Sequence, residues 1–309
     1  MNKTSKTHDA FLRPGMSITG KWHQKRYTII RKLGNGAIGS VYLCDAGGRK
    51  AALKISDKSA SVTMEVNVLK SLEKVQAQSL GPYLLDVDDW VTPQGTTFSF
   101  YVMEYIQGKP LPEFMKHNGN EWIGVFMLQL LEDLGSLHQA GWVFGDLKVD
   151  NLLVTSSPIR LRWIDVGGTT QIGRAIKEYT EFYDRGYWGL GTRKAEPSYD
   201  LFALVMVFVS VYYPKQFPKG ANPQNVLFKK IDEVKALQPY RQSFKKALLG
   251  KYHTSEEMKL ELSSVIYDLQ KQSRVTKRKG SDDKPSVAAE SIGFLLIALG
   301  FYLSSLIIP

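Results

Sequence analysis

The chain has 309 residues, of which 43% are hydrophobic, and these values predict a globular protein with a sizeable core. Its single cysteine, Cys44, excludes an internal disulfide and a cysteine-based zinc site, and its apolar flanks predict a buried strand thiol. The net charge of +10 is concentrated in three basic clusters, with +7 in residues 1–32, +5 in residues 229–251 and +4 in residues 271–284. The middle of the chain is therefore not basic, and any polyanion would meet these clusters.

The first 17 residues are polar and contain no apolar stretch of the secretory type, and residues 1–26 as a whole are basic. We expect them to form a loosely attached arm. A strand pattern begins at Tyr27 and runs into a loop with glycines at 34, 36 and 39. Glycines at this spacing let backbone amides approach phosphate oxygens. Because Val41 continues as a strand, and no acid follows about twenty residues later, we predict a strand–loop–strand and not a dinucleotide-binding turn.

The next predicted strand, over residues 51–55, contains one charge, Lys54. A lone lysine there is ordinarily an edge residue, but after a glycine loop it is the expected cation for nucleotide phosphates. A helix is predicted over residues 61–76, and Glu65 is the expected partner of Lys54, with Glu73 as the alternative. The predicted apolar stripe of this helix consists of Met64, Val68, Leu72 and Val75.

The stretch around which the chain is organised lies between two apolar runs, from residue 143 to residue 154, and contains Asp146, Lys148 and Asn151. Asp165 follows on a glycine turn. Aspartate and asparagine supply hard oxygen ligands, and nucleotide-bound Mg²⁺ takes one or two carboxylates plus phosphate oxygens. The grouping predicts phosphoryl transfer, although two ordinary turns would explain this stretch taken alone.

Between these motifs, residues 98–104 predict a buried strand and residues 108–110 a hinge between two lobes. Residues 121–140 predict an apolar helix that leads into the central loop, with His138 expected only to cap or pack there.

Together these residues resemble the bacterial eukaryotic-type (Hanks-type) Ser/Thr protein kinases over about residues 27–268. The resemblance implies an α+β, two-lobed protein kinase-like fold, with a small antiparallel β-sheet and one helix in the N-lobe and a mainly helical C-lobe. It also implies ATP and Mg²⁺ as cofactors, and transfer of the γ-phosphoryl group to Ser or Thr hydroxyls of protein substrates.

By this resemblance, Lys54 and Glu65 form the ion pair of the active state, Asp146 is the catalytic base and Lys148 contacts the γ-phosphate. Asp200 would brace the catalytic loop. The implied metal ligands are Asn151 and Asp165, and the implied nucleotide-binding residues are Leu33, Gly34, Gly36, Gly39, Val41, Ala52, Lys54, Met103 (the gatekeeper), Glu104 and Tyr105 (the hinge) and Leu153.

The sequence departs from the family pattern in the second lobe. Positions 144–145 are Phe-Gly instead of His-Arg, so we expect activity that does not depend on activation-loop phosphorylation. Val166 replaces the phenylalanine of Asp-Phe-Gly. No Ala-Pro-Glu ends the activation segment, and residues 183–188 and 251–253 occupy the places of the family's glutamate and its arginine partner. We expect both ends of that ion pair to be lost together, because a single buried charge is costly. Thr180 is the match for the family's substrate-facing threonine.

The C-terminal stretch from Ser291 to Ile308 carries no charge and reaches the length of about 18 residues that a spanning helix needs. Its basic flank predicts an anchor with the bulk of the chain in the cytoplasm, at the cell membrane, in contact with anionic lipids. The alternative is an apolar helix folded back on the domain. The tail resembles that of the membrane-bound kinases of spore-forming bacilli. The predicted segments are an arm (1–26), an N-lobe (27–105), a C-lobe (106–270), a juxtamembrane linker (271–290) and a transmembrane anchor (291–309).

Two other functions remain open from the sequence. A small-molecule kinase of the aminoglycoside or choline type would share the loop around Asp146, but the three-glycine loop and Lys148 favour a protein kinase. A membrane-tethered pseudokinase that binds nucleic acid is the second, and the complete set of polar residues argues against it. A membrane anchor would favour self-association and phosphorylation in trans. DNA or another polyanion is predicted to dock on Lys229, Lys230, Lys235, Arg241, Lys245, Lys246 and Lys251, whose alternative role is a solvated helix face.

Overall fold

The computed structural model describes residues 12–35, 39–75 and 81–279. The described strands are β1 (Ser17–Thr19), β2 (Arg26–Asn35), β3 (Ser40–Asp45), β4 (Lys50–Ser56), β5 (Leu84–Val91), β6 (Thr97–Glu104), β7 (Lys109–Pro110), β8 (Trp142–Val143), β9 (Leu152–Val154), β10 (Leu161–Trp163) and β11 (Thr170–Gln171). The described α-helices are α1 (Ser59–Val75), α2 (Leu111–Asn118), α3 (Trp122–Gln139), α4 (Pro197–Tyr212), α5 (Pro223–Glu233), α6 (Arg241–Leu248) and α7 (Ser255–Lys279). The chain divides into two compact units after Ser263, and the site lies in the first.

The first lobe is a six-stranded antiparallel sheet in the order β1-β2-β3-β4-β6-β5, with α1 packed on β4, β5 and β6. Strand β4 is buried along almost its whole length. Successive side chains of a strand point to opposite faces. Ala51, Leu53 and Ile55 therefore enter the apolar core with β2, β3 and β6, while Ala52 and Lys54 face the other side.

Residues 12–26 are part of this lobe, so the expectation of a loose arm over residues 1–26 is wrong for them. Strand β1 pairs with β2, and Leu12 and Ile18 are buried in the sheet core. The backbone N–H groups of Trp22 and His23 donate to the Asp88 carboxylate at 2.9 and 2.8 Å. Two buried apolar side chains and an acidic anchor on β5 are enough to fix a segment whose polar composition predicted an arm.

A second acidic anchor completes this attachment. The Asp86 carboxylate accepts hydrogen bonds from Tyr27 and from His23, and Lys25 lies 3.4 Å away. Burial alone would raise the pKa of Asp86, but these partners outweigh it and lower that pKa overall. The carboxylate is therefore bound in its charged form.

Helix α1 begins at Ser59 and ends at Val75, close to the predicted range of 61–76. The predicted stripe is wrong at Met64, whose side chain is 64% exposed. Successive residues turn by about 100° around a helix, and this turn places Met64 outside the buried face, although Val68 and Leu72 of the predicted stripe lie on it. The buried face consists of Val62, Glu65, Val66, Val68, Leu69 and Leu72.

The second lobe is mainly helical and is built around α4. Every residue of α4 from Tyr199 to Ser210 is buried, which is typical of a helix in the centre of a domain. Helices α2, α3 and α6 pack against it. Strands β7, β9 and β10 form a three-stranded sheet and β8 pairs with β11, so that β8 and β9 flank the loop over residues 144–151. The predicted two-lobed α+β fold is confirmed.

The last described helix, α7, continues to Lys279. The predicted C-lobe boundary at residue 270 falls inside this helix, and residues 271–279 of the predicted linker are helical. Within the described ranges, no helix combines the length and the apolar character needed to cross a membrane. The predicted anchor, residues 291–309, lies outside the residues that the structure describes.

Candidate active site

A buried lysine–carboxylate cluster lies between the sheet and α1. Lys54 Nζ donates to Glu65 Oε1 at 2.7 Å and to Asp165 Oδ1 at 3.4 Å. Tyr101, directly opposite Lys54 on β6, donates its hydroxyl to Glu65 Oε2 at 2.6 Å. Burial alone would lower the pKa of Lys54, but Asp165 and Glu65 outweigh it and raise that pKa, so the ammonium group stays charged. The alternative partner, Glu73, is exposed.

One face of the sheet lines the space beside this cluster. Val41 pairs with Lys54, and Ala52 pairs with Met103, so all four side chains lie on the same face. Ala52 and Met103 are buried, whereas Val41 is half-buried. Leu33 is exposed on β2, and Leu153 is half-buried on β9.

The three glycines of the predicted phosphate loop differ in their surroundings. Gly34 lies one residue before the end of β2, and a Cβ built there would meet nothing within 4 Å. Gly36 lies outside the described residues. A Cβ at Gly39 would lie 2.2 Å from the Ile55 carbonyl oxygen. Gly39 is therefore required where β3 approaches β4 closely, a role that the glycine pattern alone did not reveal.

The predicted hinge is fixed by an arginine that sequence reasoning missed. The Arg162 guanidinium donates to both Glu104 carboxylate oxygens at 2.6 and 2.8 Å, and to the Gly81 carbonyl at 2.7 Å. Tyr105 lies next to Glu104 and accepts from the exposed Arg31 at 3.5 Å. The sequence signal for Arg162 was a single charge in the otherwise apolar strand β10.

The central loop brings its predicted polar residues together. Lys148 Nζ donates to Asp146 Oδ2 at 2.5 Å and to Thr180 Oγ1 at 3.0 Å, and that hydroxyl in turn donates to Asp146 Oδ1 at 2.9 Å. Asn151 Nδ2 donates to the Asp146 carbonyl at 3.1 Å. Gly168 packs so closely that a Cβ there would lie 2.7 Å from that of Asp146. The loop therefore brings a carboxylate and an ammonium into one hydrogen-bonded group with the hydroxyl of Thr180.

Helix α4 supports the central loop through hydrogen bonds to Asp200. Asp200, the fourth residue of that helix, is fully buried and accepts from the N–H groups of Phe144 at 2.7 Å and Gly145 at 3.0 Å. Gly145 has φ = +80°, which a residue with a Cβ adopts only with strain, and its neighbour is Asp146. The predicted contact between Asp200 and the loop is present. His138, expected only to cap or pack, also bonds to Asp200 at 2.9 Å.

The sequence comparisons decide the class of protein that this arrangement belongs to. Residues 27–284 match the profile of the family described as "Protein kinase domain". The chain belongs to the protein kinase family. It is 52% identical over 252 residues to the serine/threonine-protein kinase YabT of Bacillus subtilis, a match that covers 81% of this chain and 75% of that protein. Activity as a protein-serine/threonine kinase, and the use of ATP and a divalent metal, follow from this membership.

More distant relatives agree. The kinase is 28% identical over 151 residues to drp72 of Corynebacterium efficiens, a match over 46% of this chain and 29% of that protein. It is 26% identical over 172 residues to PknG of Mycobacterium leprae, a match over 52% of this chain and 22% of that protein. Both carry the name of serine/threonine-protein kinases, and this chain spans less than a third of either.

The side chains of Asn151 and Asp165 offer oxygen atoms that suit the divalent metal that the family uses. The Asn151 amide nitrogen donates to the Asp146 carbonyl, so its side-chain oxygen is the atom that could bind a metal ion. Asp165 uses Oδ1 for Lys54 and for the Gly167 N–H, and its side chain is 40% exposed toward solvent. Across the described residues no group of three or more His, Cys, Asp or Glu side chains could hold a metal alone. Oxygen donors and a place for phosphate oxygens suit a hard divalent ion.

A further carboxylate, Glu178, faces this cluster and was missed in the sequence. It is half-buried and lies 3.7 Å from the position of a Cβ at Gly167, close to Asp165 and Glu65. The pKa of Glu178 is raised overall, because burial and the nearby carboxylates of Glu65 and Asp165 outweigh the opposite effect of Lys54. No sequence signal distinguishes this residue from other charges of the activation segment.

The end of the activation segment contains two local ion pairs that the sequence did not reveal. Neither involves residues 251–253, so the expected loss of the family's ion pair at both ends stays a prediction. Arg185 NH2 lies 2.7 Å from Glu196 Oε1, and the fully buried Asp184 pairs with Arg193 at 2.7 Å. Arg185 also donates to the Thr192 carbonyl at 2.7 Å. Both ion pairs join residues less than fifteen positions apart, so this part of the segment is stabilised by contacts within itself.

The second basic cluster, residues 229–251, is partly neutralised. Lys230 pairs with Glu233 at 2.8 Å, Lys245 with Asp232 at 2.7 Å and Lys246 with Glu261 at 2.7 Å, and Lys229 lies 4.0 Å from Glu233. Among the described residues, the three cations of this cluster without such an ion pair are Lys235, Arg241 and Lys251.

Proposed function

We propose that the kinase transfers the ATP γ-phosphoryl group to Ser or Thr hydroxyls of proteins at the cytoplasmic membrane face, with Asp146 as catalytic base. The observation that carries this assignment is the hydrogen-bonded group of Asp146, Lys148 and Thr180. Asp146 orients the acceptor hydroxyl and takes up its proton, while Lys148 neutralises charge that develops on the transferred phosphoryl group. Thr180 occupies the place of an acceptor hydroxyl and holds both side chains until substrate arrives.

Lys54 is assigned to the ATP phosphates. Its ammonium is charged and bound to Glu65, which fixes its direction, and Asp165 beside it supplies an oxygen for Mg²⁺ together with Asn151. Bound Mg²⁺ supplies charge neutralisation for the phosphates. The chain's own contribution is to position these groups in a partly buried cleft, where electrostatic interactions are stronger than in water.

The test of Lys54 uses two matched variants of the same strand. Lys54→Met should reduce phosphate transfer at least a hundredfold, since it removes the phosphate-binding cation. Lys50→Met changes an exposed lysine at the start of β4 and should keep full activity. Transfer is measured with radiolabelled ATP and Mg²⁺ on a generic Ser/Thr substrate. Full activity in Lys54→Met would refute this assignment.

The membrane location rests on the apolar stretch 291–308 and on the third basic cluster, residues 271–284. Each lysine or arginine near an anionic surface contributes about 1 kcal/mol. Removal of residues 285–309 should give a kinase that stays in the supernatant after high-speed centrifugation of a cell lysate and keeps its activity. A truncated chain that still sediments with membranes would contradict the proposed anchor.

Modulation by DNA or another polyanion is the second part of the proposal. Its contacts are assigned first to Lys235, Arg241 and Lys251, because the other cations of the second basic cluster have acidic partners. Phosphate contacts predict an affinity that falls steeply with salt. The triple variant with glutamine at these positions should weaken binding of duplex DNA at low salt. Binding that is independent of salt, or unchanged in the triple variant, would exclude this surface.

Self-association for phosphorylation in trans is proposed from the anchor, which raises local concentration at the membrane. The active kinase mixed with Asp146→Asn should label the inactive variant, at a rate that rises with the surface density of both chains on vesicles. An inactive variant that stays unlabelled at every density would exclude phosphorylation in trans.

A further inference from the structure

A chain of buried hydrogen bonds joins the start of α7 to the catalytic loop. The Ser255 hydroxyl lies 3.0 Å from His138 Nδ1, and His138 Nε2 lies 2.9 Å from Asp200 Oδ2. Asp200 accepts from the N–H groups of Phe144 and Gly145, which directly precede Asp146. Ser255 is buried, Asp200 is fully buried, and the His138 side chain is 7% exposed. Hydrogen bonds in such surroundings are screened little by water.

The chemistry of each partner determines the direction of the chain. The Asp200 carboxylate can only accept, so His138 Nε2 must carry a proton and donate. In the neutral imidazole, Nδ1 is then an acceptor, and the Ser255 hydroxyl donates to it. Asp200 thus sets the tautomer of His138, Ser255 fixes its ring orientation, and His138 in turn holds the carboxylate that receives the two loop amides.

The Ser255 hydroxyl is not needed to cap α7. Thr254 Oγ1 accepts from the Glu257 N–H at 3.2 Å, and Glu257 Oε2 accepts from the His253 N–H at 2.8 Å. These two contacts satisfy N–H groups at the helix start in the manner of a capping box. Helix initiation and the contact to His138 therefore reside in different side chains, and they can be separated by mutation.

Helix α7 is firmly docked where the chain of hydrogen bonds begins. Met258 and Leu262 are fully buried, and Lys259 pairs with Glu132 of α3. A Cβ at Gly135 of α3 would lie 3.7 Å from the Ser255 Cβ, in ordinary contact. Residue 135 of α3 therefore lies directly beside Ser255 at the start of α7.

We propose that Ser255 and His138 are positioning residues for phosphoryl transfer, through which the docking of α7 sets the geometry of the catalytic loop. The inference goes beyond the roles assigned above to ATP and metal contacts, and it rests on them only in that Asp146 is the residue to be positioned. Loss of the Ser255 hydroxyl releases the His138 ring, which weakens the Asp200 contacts to the loop.

The test compares Ser255→Ala with Thr254→Ala in the full chain. Ser255→Ala should lower kcat about two- to tenfold, as expected for one lost hydrogen bond, with the KM for ATP unchanged. It should also accelerate amide exchange in the peptide that contains Phe144 and Gly145. Thr254→Ala should lower the melting temperature through loss of the cap, while kcat and the exchange of that peptide stay unchanged. Ser255→Thr, which keeps a hydroxyl, should restore kcat.

A second comparison uses His138→Leu. In that background Ser255→Ala should have no further effect on kcat or on amide exchange, because both changes interrupt the same chain. Equal effects of Ser255→Ala and Thr254→Ala would overturn the proposal, since both would then act through α7 packing. Additive effects with His138→Leu, or unchanged exchange at Phe144 and Gly145, would overturn it also. The exchange measurement does not depend on the role of Asp146, so its outcome is separate from that of the assigned catalytic base.

Discussion

The conformation of the activation segment is stabilised by Arg185, whose side chain is only 6% exposed and makes several hydrogen bonds within the segment. Its guanidinium donates to the Thr192 carbonyl at 2.7 Å, to Ser198 Oγ at 2.8 Å, to the Lys194 carbonyl at 3.4 Å and to Glu196 Oε1 at 2.7 Å. Hydrogen bonds to a charged group contribute about 1.5–3 kcal/mol each when buried. The Glu196 side chain is 37% exposed, so water screens its interaction with Arg185. The stability lost on removal of Arg185 should therefore be well below the sum of these contributions.

Arg185→Ala should therefore lower the free energy of unfolding by about 2–4 kcal/mol, which corresponds to a melting temperature roughly 4–12 °C lower. Arg185→Lys should recover only part of this loss, since an ammonium group cannot reproduce the planar fork of a guanidinium. The hydrogen bond from Arg185 lowers the pKa of Glu196 and outweighs burial, which would raise it. In Arg185→Ala that pKa should rise toward its ordinary value.

The assay is thermal unfolding together with steady-state kinetics. The resemblance places the activation segment against the protein substrate, and we therefore expect kcat/KM for that substrate to fall at least tenfold, while the Kd for ATP stays unchanged. Lys194→Ala is the matched control, because it removes an exposed cation of the same segment. Its melting temperature and kinetics should equal those of the unchanged kinase. An Arg185→Ala variant with normal stability and normal kcat/KM would refute the reasoning.

Three other predictions concern the two lobes. Asp146→Asn should abolish transfer to protein substrates without changing the melting temperature or the Kd for ATP; measurable turnover would contradict its assignment. Gly39→Ala should cost about 1–3 kcal/mol of stability in thermal unfolding, because its Cβ would overlap the Ile55 carbonyl, whereas Gly34→Ala should cost much less. Equal costs would refute the steric role of Gly39. Asp86 has a lowered pKa, so its stabilisation is present above the unfolded pKa of about 3.9 and is lost as the pH falls through the folded value. Between about pH 5 and pH 2, the melting temperature of Asp86→Asn should therefore fall less than that of the unchanged kinase. Melting temperatures that fall by the same amount in both proteins would contradict this.

The family could be predicted from the sequence because its evidence is local. Asp146, Lys148 and Asn151 lie within six residues on one loop, and a loop's own hydrogen bonds determine their relative positions. Lys54 stands out as the one charge in an apolar strand. Short spacing and residue chemistry are therefore sufficient to predict phosphoryl transfer, and the two-lobed fold follows from the resemblance that these motifs carry.

Other features depended on contacts between residues that are distant in the sequence. Residues 12–26 seemed to be an arm, since nothing in their composition shows the acidic strand that binds them about sixty-five residues later. Arg162 fixes the hinge across fifty-eight residues, and Ser255 reaches His138 across 117. Such pairs have no periodicity or spacing that identifies them. Only the packing of β5, β10 and the first turns of α7 within the first unit brings them together, so the tertiary structure decided which polar residues support the site.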